Sequence, residues 1–343
     1  MVAVIVVGGD LLRDVSAFAR WGAIELGLVY GFVAIGVFLS FRVLDFPDLT
    51  VDGSLPLGAG VAAVLLLAGV DPWLAMLAAF AAGSIAGLVT AFLNVRFRIL
   101  HLLASILTMF ALLSVSLRIM GRPNISLLRQ ETIFTPVETF LQGAAGEINA
   151  ALDAFQDALF LGYAGFDLNF AGYMMTPLFL AALVVVVVLA LNRFLGSNFG
   201  LGMRAIGVNK KMAQAQGIRV GANIYVGMGL SNGLVGLAGA LFAQSQTFAD
   251  VTSGQGTIVV GLAAVIVGET ILRFRGIWVA LVGCVLGSII YRLALAAALQ
   301  QEELCVFSVC LGFDLRASDL NLITAVIITL ALVLPRLRRG SRV

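Results

Sequence analysis

Charge is what this sequence has least of. Of 343 residues only 12% are Asp, Glu, Lys or Arg, while 61% are hydrophobic, and the mean hydropathy is +1.06. Those values lie outside the range of soluble globular domains, so an integral membrane protein is required. Histidine occurs once, as His101, and cysteine three times, too few for a metal centre or a disulfide framework. Lysine occurs only at 210 and 211, and the G-x-x-x-x-G-K-[ST] pattern is missing. The chain therefore has no P-loop with which to hydrolyse ATP by itself. A net charge of +2 points to no partner, and no nucleic acid is expected.

What is abundant is long apolar sequence. A bilayer core about 30 Å thick takes roughly 20 residues of helix. Bounded by Gly, Pro and charge clusters, nine spans are expected near 21–41, 56–70, 73–93, 99–119, 174–193, 222–246, 257–272, 277–299 and 320–335. The second and seventh are short for a crossing, and each follows an acidic phrase: FPDLTVDGS from Phe46, and FADVTSGQG from Phe248. The expected class is therefore all-α and polytopic. Residues 1–20 form a surface segment, 21–119 a first transmembrane repeat, and 120–173 an extracytoplasmic loop with an amphipathic helix. Residues 174–221 are a connecting span and cytoplasmic loop, 222–335 a second repeat and 336–343 a basic tail.

Alternate connections separate by charge. One set carries Arg42, Arg96, Arg98, Arg193, Arg204, Lys210, Lys211, Arg219, Arg273, Arg275 and the Arg336–Arg342 cluster, which makes fourteen of the 21 cations, with only Asp45, Asp48, Asp52 and Glu269 as acids. Cationic loops stay inside, so this set is expected to be cytoplasmic together with the C-terminus. A shift of 202 residues lays Phe46, Asp48 and Thr50 on Phe248, Asp250 and Thr252. GVAAV at 60–64 then meets GLAAV at 261–265 after one more residue. Four spans, one connecting span and four more make an inverted 4+4 repeat with broken helices, a transporter architecture.

A helix interrupted inside a membrane frees backbone groups, which is tolerated beside protein or a water-filled cavity. The first phrase (Phe46, Asp48, Thr50, Asp52, Ser54) and the second (Phe248, Asp250, Thr252) are thus expected on the substrate path, with Ser231 and Asn232 of the sixth span and Arg292 of the eighth. Simpler readings stand beside this. Asp and Thr are ordinary helix caps, Ser231 and Asn232 serve equally as interhelical hydrogen bonders, and Arg292 could snorkel outward. Arg292 paired with Asp250 or with a substrate carboxylate is the alternative to snorkelling.

Local signals place three further features. Asn209 as N-cap, KKMAQAQ as helix and Gly217 as stop predict a short helix in the inner loop. Thr135, Pro136 and Glu138 open an amphipathic helix through Val137 to Leu159. Glu269 and Arg273, four apart, read as a local ion pair, and His101 as structural. Cys305 and Cys310 fit either a disulfide or two buried thiols.

The phrases FPDLTVDGSLPLGAGVAA, LLASILTMFALLSVSLRIMGRPNISLL, MRAIGVNKKMAQAQGI, VIVGE, GSIIYRLALAAAL and DLNLITAVIITLAL, in that order from Trp21 onward, resemble the permease subunits of ATP-binding-cassette importers of the branched-chain amino acid and ribose type. The subgroup nearest in pattern is described as tryptophan or tyrosine importers. The resemblance implies a bacterial inner-membrane permease that pairs with a second copy. It implies two cytoplasmic ATPase subunits, which hold the ATP, and an extracytoplasmic substrate-binding protein; the chain itself would bind no cofactor and no metal. It makes the inner-loop helix the coupling helix, with Arg204, Gly207, Asn209, Lys210, Lys211, Ala213 and Gly217 at the family's positions. The expected cargo is an aromatic or branched-chain amino acid, with nucleosides and sugars carried by related permeases. The rival is a secondary transporter driven by an ion gradient through Asp48, Asp250 or Glu269.

Overall fold

The computed structural model describes residues 17–135, 175–272, 276–299 and the short strands 304–306 and 309–311. Helix α1 (Ala17–Phe38) runs into one π-turn, Leu39–Val43, and then breaks. α2 (Val51–Leu67), α3 (Pro72–Phe97) and α4 (His101–Met120) follow, then strand β1 (Asn124–Ser126). α5 (Met175–Leu195) leads to two short helices, α6 (Asn198–Val208) and α7 (Lys210–Ala215). α8 (Val220–Gln246) ends in strand β2 (Phe248–Asp250) and a 3-10 turn, Val251–Gly254. α9 (Thr257–Leu272) and α10 (Ile277–Leu299) complete the helices, and β3 (Leu304–Val306) pairs with β4 (Val309–Leu311).

Seven of the described helical stretches are long and apolar enough to cross a membrane, and α2 is a shorter apolar helix. The protein is thus a polytopic all-α membrane protein. The ninth expected span, the basic tail, most of the outer-loop helix and Arg273 lie outside the described residues. Cys305 and Cys310 are backbone partners across β3 and β4.

Local chemistry sets most boundaries. Asp71 accepts the Trp73 N–H at 2.8 Å and Pro72 takes the first helical position of α3, where its missing N–H loses nothing. Thr247, at φ 59°, turns the chain off α8. One boundary differs from expectation: α2 begins at Val51 rather than near 56, so Asp52 and Ser54 lie in its first turns. Pro56, inside the helix, removes the N–H that the Asp52 carbonyl would accept. Gly254 sits at that carbonyl: a Cβ on it would lie 2.0 Å from Asp52 O and 2.5 Å from the proline Cδ.

Packing divides the helices into buried and outer ones. α1 and α8 are mostly enclosed, whereas α4 and α5 present apolar side chains such as Phe110 and Val186 outward, as suits contact with lipid. α8 lies against α3 and α2, α1 lies against α10 and α9, and α1 and α8 cross each other. Exchanging α1 with α8, α2 with α9 and α3 with α10 leaves those neighbours unchanged. The crossings are tight because small residues let backbones touch. A Cβ on Gly58 would be 2.0 Å from Gly236 O, and one on Gly268 2.1 Å from Gly283 O.

Arg42, at the end of the π-turn, pairs with Glu269 near the end of α9. Glu269 was expected to pair with Arg273, which lies outside the described residues; among the described residues its partner is Arg42. This pair fixes a basic end of the molecule. At the other end β1 pairs antiparallel with β2, Asn124 opposite Asp250.

Candidate translocation site

The first break, Leu44 to Thr50, is held by hydrogen bonds that its own residues supply. Asp48 Oδ1 accepts the Thr50 N–H at 2.9 Å, a turn that Asp favours because its side chain reaches the backbone two residues on. Its other oxygen accepts from Asn232 Nδ2 of α8 at 2.7 Å. Asn232 Oδ1 accepts from the Ser54 hydroxyl at 2.7 Å, and its amide also reaches Met228 O at 3.2 Å. Thr50 Oγ1 lies 2.8 Å from Thr90 Oγ1 of α3. Asp48, Thr50, Ser54, Thr90 and Asn232 are all 0% exposed. One amide thus ties the break to α8, and the network leaves each oxygen of Asp48 satisfied, as burial in a low dielectric demands. Ser231, next to Asn232, donates to Gly36 O of α1 at 2.7 Å.

The second break meets the first. The half-buried Asp52 carboxylate accepts the N–H of Ile258 at 2.7 Å and of Gly256 at 3.3 Å, so a residue of α2 caps α9. At about 1.5 Å per residue α2 is roughly 25 Å long, short of the apolar core, whereas α9 reaches crossing length with the 3-10 turn that precedes it, and the two helices start beside each other. Asp250, at the end away from Arg42, accepts from Thr252 N–H at 2.6 Å and Oγ1 at 2.5 Å, and from Asn124 Nδ2 at 3.2 Å. Phe248 meets Phe242 edge-on with centroids 5.8 Å apart.

The model of the permease component of branched-chain amino acid transport systems matches residues 22–333. The chain belongs to this family. It is 33% identical over 302 residues to a protein named tyrosine transport system permease protein from Clostridioides difficile, covering 88% of this chain and 86% of that one. It is 28% identical over 263 residues to a probable branched-chain amino acid transport permease protein from Methanocaldococcus jannaschii, covering 75% and 76%. No solved structure matches.

In this permease the sequence-predicted path residues fall into four places. Asp48, Thr50, Ser54 and Asn232 form the buried network, with Phe46 beside it in tilted contact with His101, ring centroids 4.2 Å apart. Asp52 joins the two breaks. Phe248, Asp250 and Thr252 lie at the end marked by β1 and β2, and Arg292 is elsewhere: its guanidinium sits 3.9 Å from the Tyr30 ring centroid, while the hydrogen bonds of Asp250 go to Thr252 and Asn124.

The inner-loop helix is capped as its sequence dictates. Asn209 Oδ1 accepts the Met212 N–H at 3.0 Å, and Gly217 takes φ 80°. Arg204, Lys210 and Lys211 are exposed and Ala213 is buried. Gly207 fastens this loop to the first break: a Cβ there would lie 2.2 Å from Val43 O. Thr90 and Tyr30 were missed, each a lone polar side chain within an apolar run. So was Glu25, half-buried on α1.

Proposed function

We propose that this permease is the translocating subunit of an ATP-driven importer of amino acids in a bacterial inner membrane, with its C-terminus inside. It works as a pair with a second copy, two cytoplasmic ATPase subunits and an extracytoplasmic binding protein. The observation that carries the reading is the meeting of two helices that each follow a break, α2 and α9, at Asp52, between a group built on α8 and one built on α1. An inverted repeat of that kind lets two halves rock around a shared point. The path opens where Asp52 releases Ile258 and closes where it recaps it, with Asp48, Thr50, Ser54, Ser231 and Asn232 holding the first break in shape. The exposed α7, capped by Asn209 and rooted on Val43 through Gly207, is placed to pass an ATPase movement into that break. The names of the relatives favour an aromatic or branched-chain amino acid as cargo.

The test is uptake into proteoliposomes holding the permease, its ATPase and its binding protein. Accumulation of labelled L-tyrosine or L-leucine should need internal ATP and persist without an ion gradient. A second reading, an ion-coupled transporter, is favoured by one observation, the fully buried Asp48 carboxylate with no cation hydrogen-bonded to it among the described residues. Uptake driven by a proton or sodium gradient in the absence of any ATPase would replace the first reading with that one.

A further inference from the structure

Helix α5 is apolar all round, but its two sides meet different surroundings. Leu180, Val184, Val188, Leu191 and Leu195 are buried against the rest of the molecule. Leu178, Val185, Val186 and Leu189 are each more than half exposed, and their helical spacing keeps them on one stripe. Arg193 ends that stripe, exposed and four residues after Leu189. From Leu178 to Arg193 the stripe rises about 22 Å, most of an apolar core about 30 Å thick. Such a face is in lipid, and its arginine stands where acyl chains give way to headgroups.

The chain then turns sharply into α6. Ser197 Oγ donates to Phe194 O at 2.6 Å and accepts the Gly200 N–H at 3.3 Å, and a Cβ on Gly200 would lie 2.4 Å from Leu195 Cα. The turn leaves a recess of about 690 Å³ lined by Leu189, Ala190, Arg193, Phe194, Gly196 and Ser197, within the roughly 300–1,000 Å³ usual for small-molecule sites. The Ser197 hydroxyl is already committed, so Arg193 is the group in the lining free to recognise a ligand, and that ligand is an anion. Residues 175–249 contain neither Asp nor Glu but carry Arg193, Arg204, Lys210, Lys211 and Arg219, and Arg193 forms no ion pair with another described residue. Beyond the turn Phe199, its ring centroid 6.3 Å from that of Phe194, and Leu201 are exposed on α6, as in a helix lying at the membrane surface.

We infer that this recess binds the headgroup of an anionic phospholipid of the phosphatidylglycerol type. Arg193 takes the phosphate through its planar fork, the space between Ala190 and Gly196 receives the glycerol, and an acyl chain follows Leu189, Val186, Val185 and Leu178. Basic pockets beside membrane helices receive such headgroups. Continuity favours a lipid over free phosphate, because the cation and the apolar stripe form one surface. The site goes beyond the importer reading and needs only the membrane spans. A lipid held there fixes the foot of α5, from which α6 and α7 follow.

Titration of the full-length permease, stripped of lipid in dodecyl maltoside, tests this through the rise of its thermal unfolding midpoint. Phosphatidylglycerol should raise the midpoint saturably, phosphatidylcholine only at much higher concentration, and glycerol 3-phosphate, which has no acyl chains, not at all. R193Q should raise the half-saturating concentration of phosphatidylglycerol about 5-fold or more, and R193K less. A190W sets a ring into the recess from an exposed position and should weaken binding with the charge intact. R219Q removes an exposed cation outside the recess and should match wild type. Should R193Q fail to fold, A190W and R193K decide. Equal binding of phosphatidylcholine and phosphatidylglycerol overturns the site, since the face would then be ordinary lipid contact. Equal losses in R193Q and R219Q, or wild-type binding by A190W, overturn it in favour of diffuse attraction. Glycerol 3-phosphate as effective as the phospholipid overturns the lipid assignment. A190W that splits a dimer in mass photometry while keeping its phosphatidylglycerol response gives the recess to a second copy of the chain and overturns it too.

Discussion

At the first interruption Phe46, Asp48 and Thr50 are sealed within the helix packing, whereas at the second Phe248 and Thr252 are exposed and Asp250 is half-buried. The local geometry is nonetheless shared. Each aspartate accepts the N–H of the threonine two residues on, Asp48 from Thr50 and Asp250 from Thr252, and each also accepts from an asparagine amide, Asn232 or Asn124. Asp-x-Thr therefore encodes a turn and nothing about depth. Depth is decided by the element that supplies the asparagine, which is the buried helix α8 in one case and the surface strand β1 in the other. The same hydrogen bonds then carry different energetic weight, because an unsatisfied group is costly only where water cannot replace the partner.

Breaking each asparagine clamp should expose that difference. N232L strands an Asp48 oxygen and the Ser54 hydroxyl in the interior and should destabilise the detergent-solubilised protein by about 3 kcal/mol; equal losses for N232L and N124L would end the comparison. Next in size is the joint between the breaks. G254A pushes a methyl group into Asp52 O and the Pro56 ring, and about 2 kcal/mol of overpacking is expected in the same unfolding measurement, with a slower uptake rate. D52A, which uncaps α9 at Gly256 and Ile258, should lose about 1 kcal/mol, and D52N distinctly less.

The smallest effects belong to the second break. N124A should shift stability by no more than about 0.5 kcal/mol. Burial pushes the Asp250 carboxyl up, but the Thr252 hydroxyl and N–H and the Asn124 amide outweigh it and hold the group below its ordinary value. The folded state thus binds its proton less readily than the unfolded chain. The contribution of Asp250 is present above the ordinary carboxylate range and fades as pH falls through the lowered folded value. Unfolding midpoints of wild type and D250N should therefore differ slightly at neutral pH and converge in acid; a gap that widens in acid would reverse the assignment.

What the sequence made legible was whatever a run of neighbours determines. Apolar length located α1, α3, α4, α5, α8, α9 and α10, and Asn209 with Gly217 located α7, because caps and stops act within one turn. The start of α2 was misplaced because Pro56 and Gly53 look like breakers, while the tertiary fit of Gly254 against the Asp52 carbonyl, 200 residues away, accommodates them. The contact of Glu269 with Arg42 was not legible for the same reason, Arg42 being distant in sequence and near in space. Thr90 and Tyr30 sent no local signal, since their roles come from Thr50 and Arg292 on other helices.

Where α8 crosses α2, and α10 crosses α9, peptide groups touch with no side chain between them. Sliding at such a contact would drive one main chain into another, so each pair travels as one solid piece. A bilayer of different thickness must then be met by tilting those pieces whole instead of flexing single helices. Transport rate should accordingly follow lipid acyl-chain length, with a maximum where the lipid matches the resting tilt.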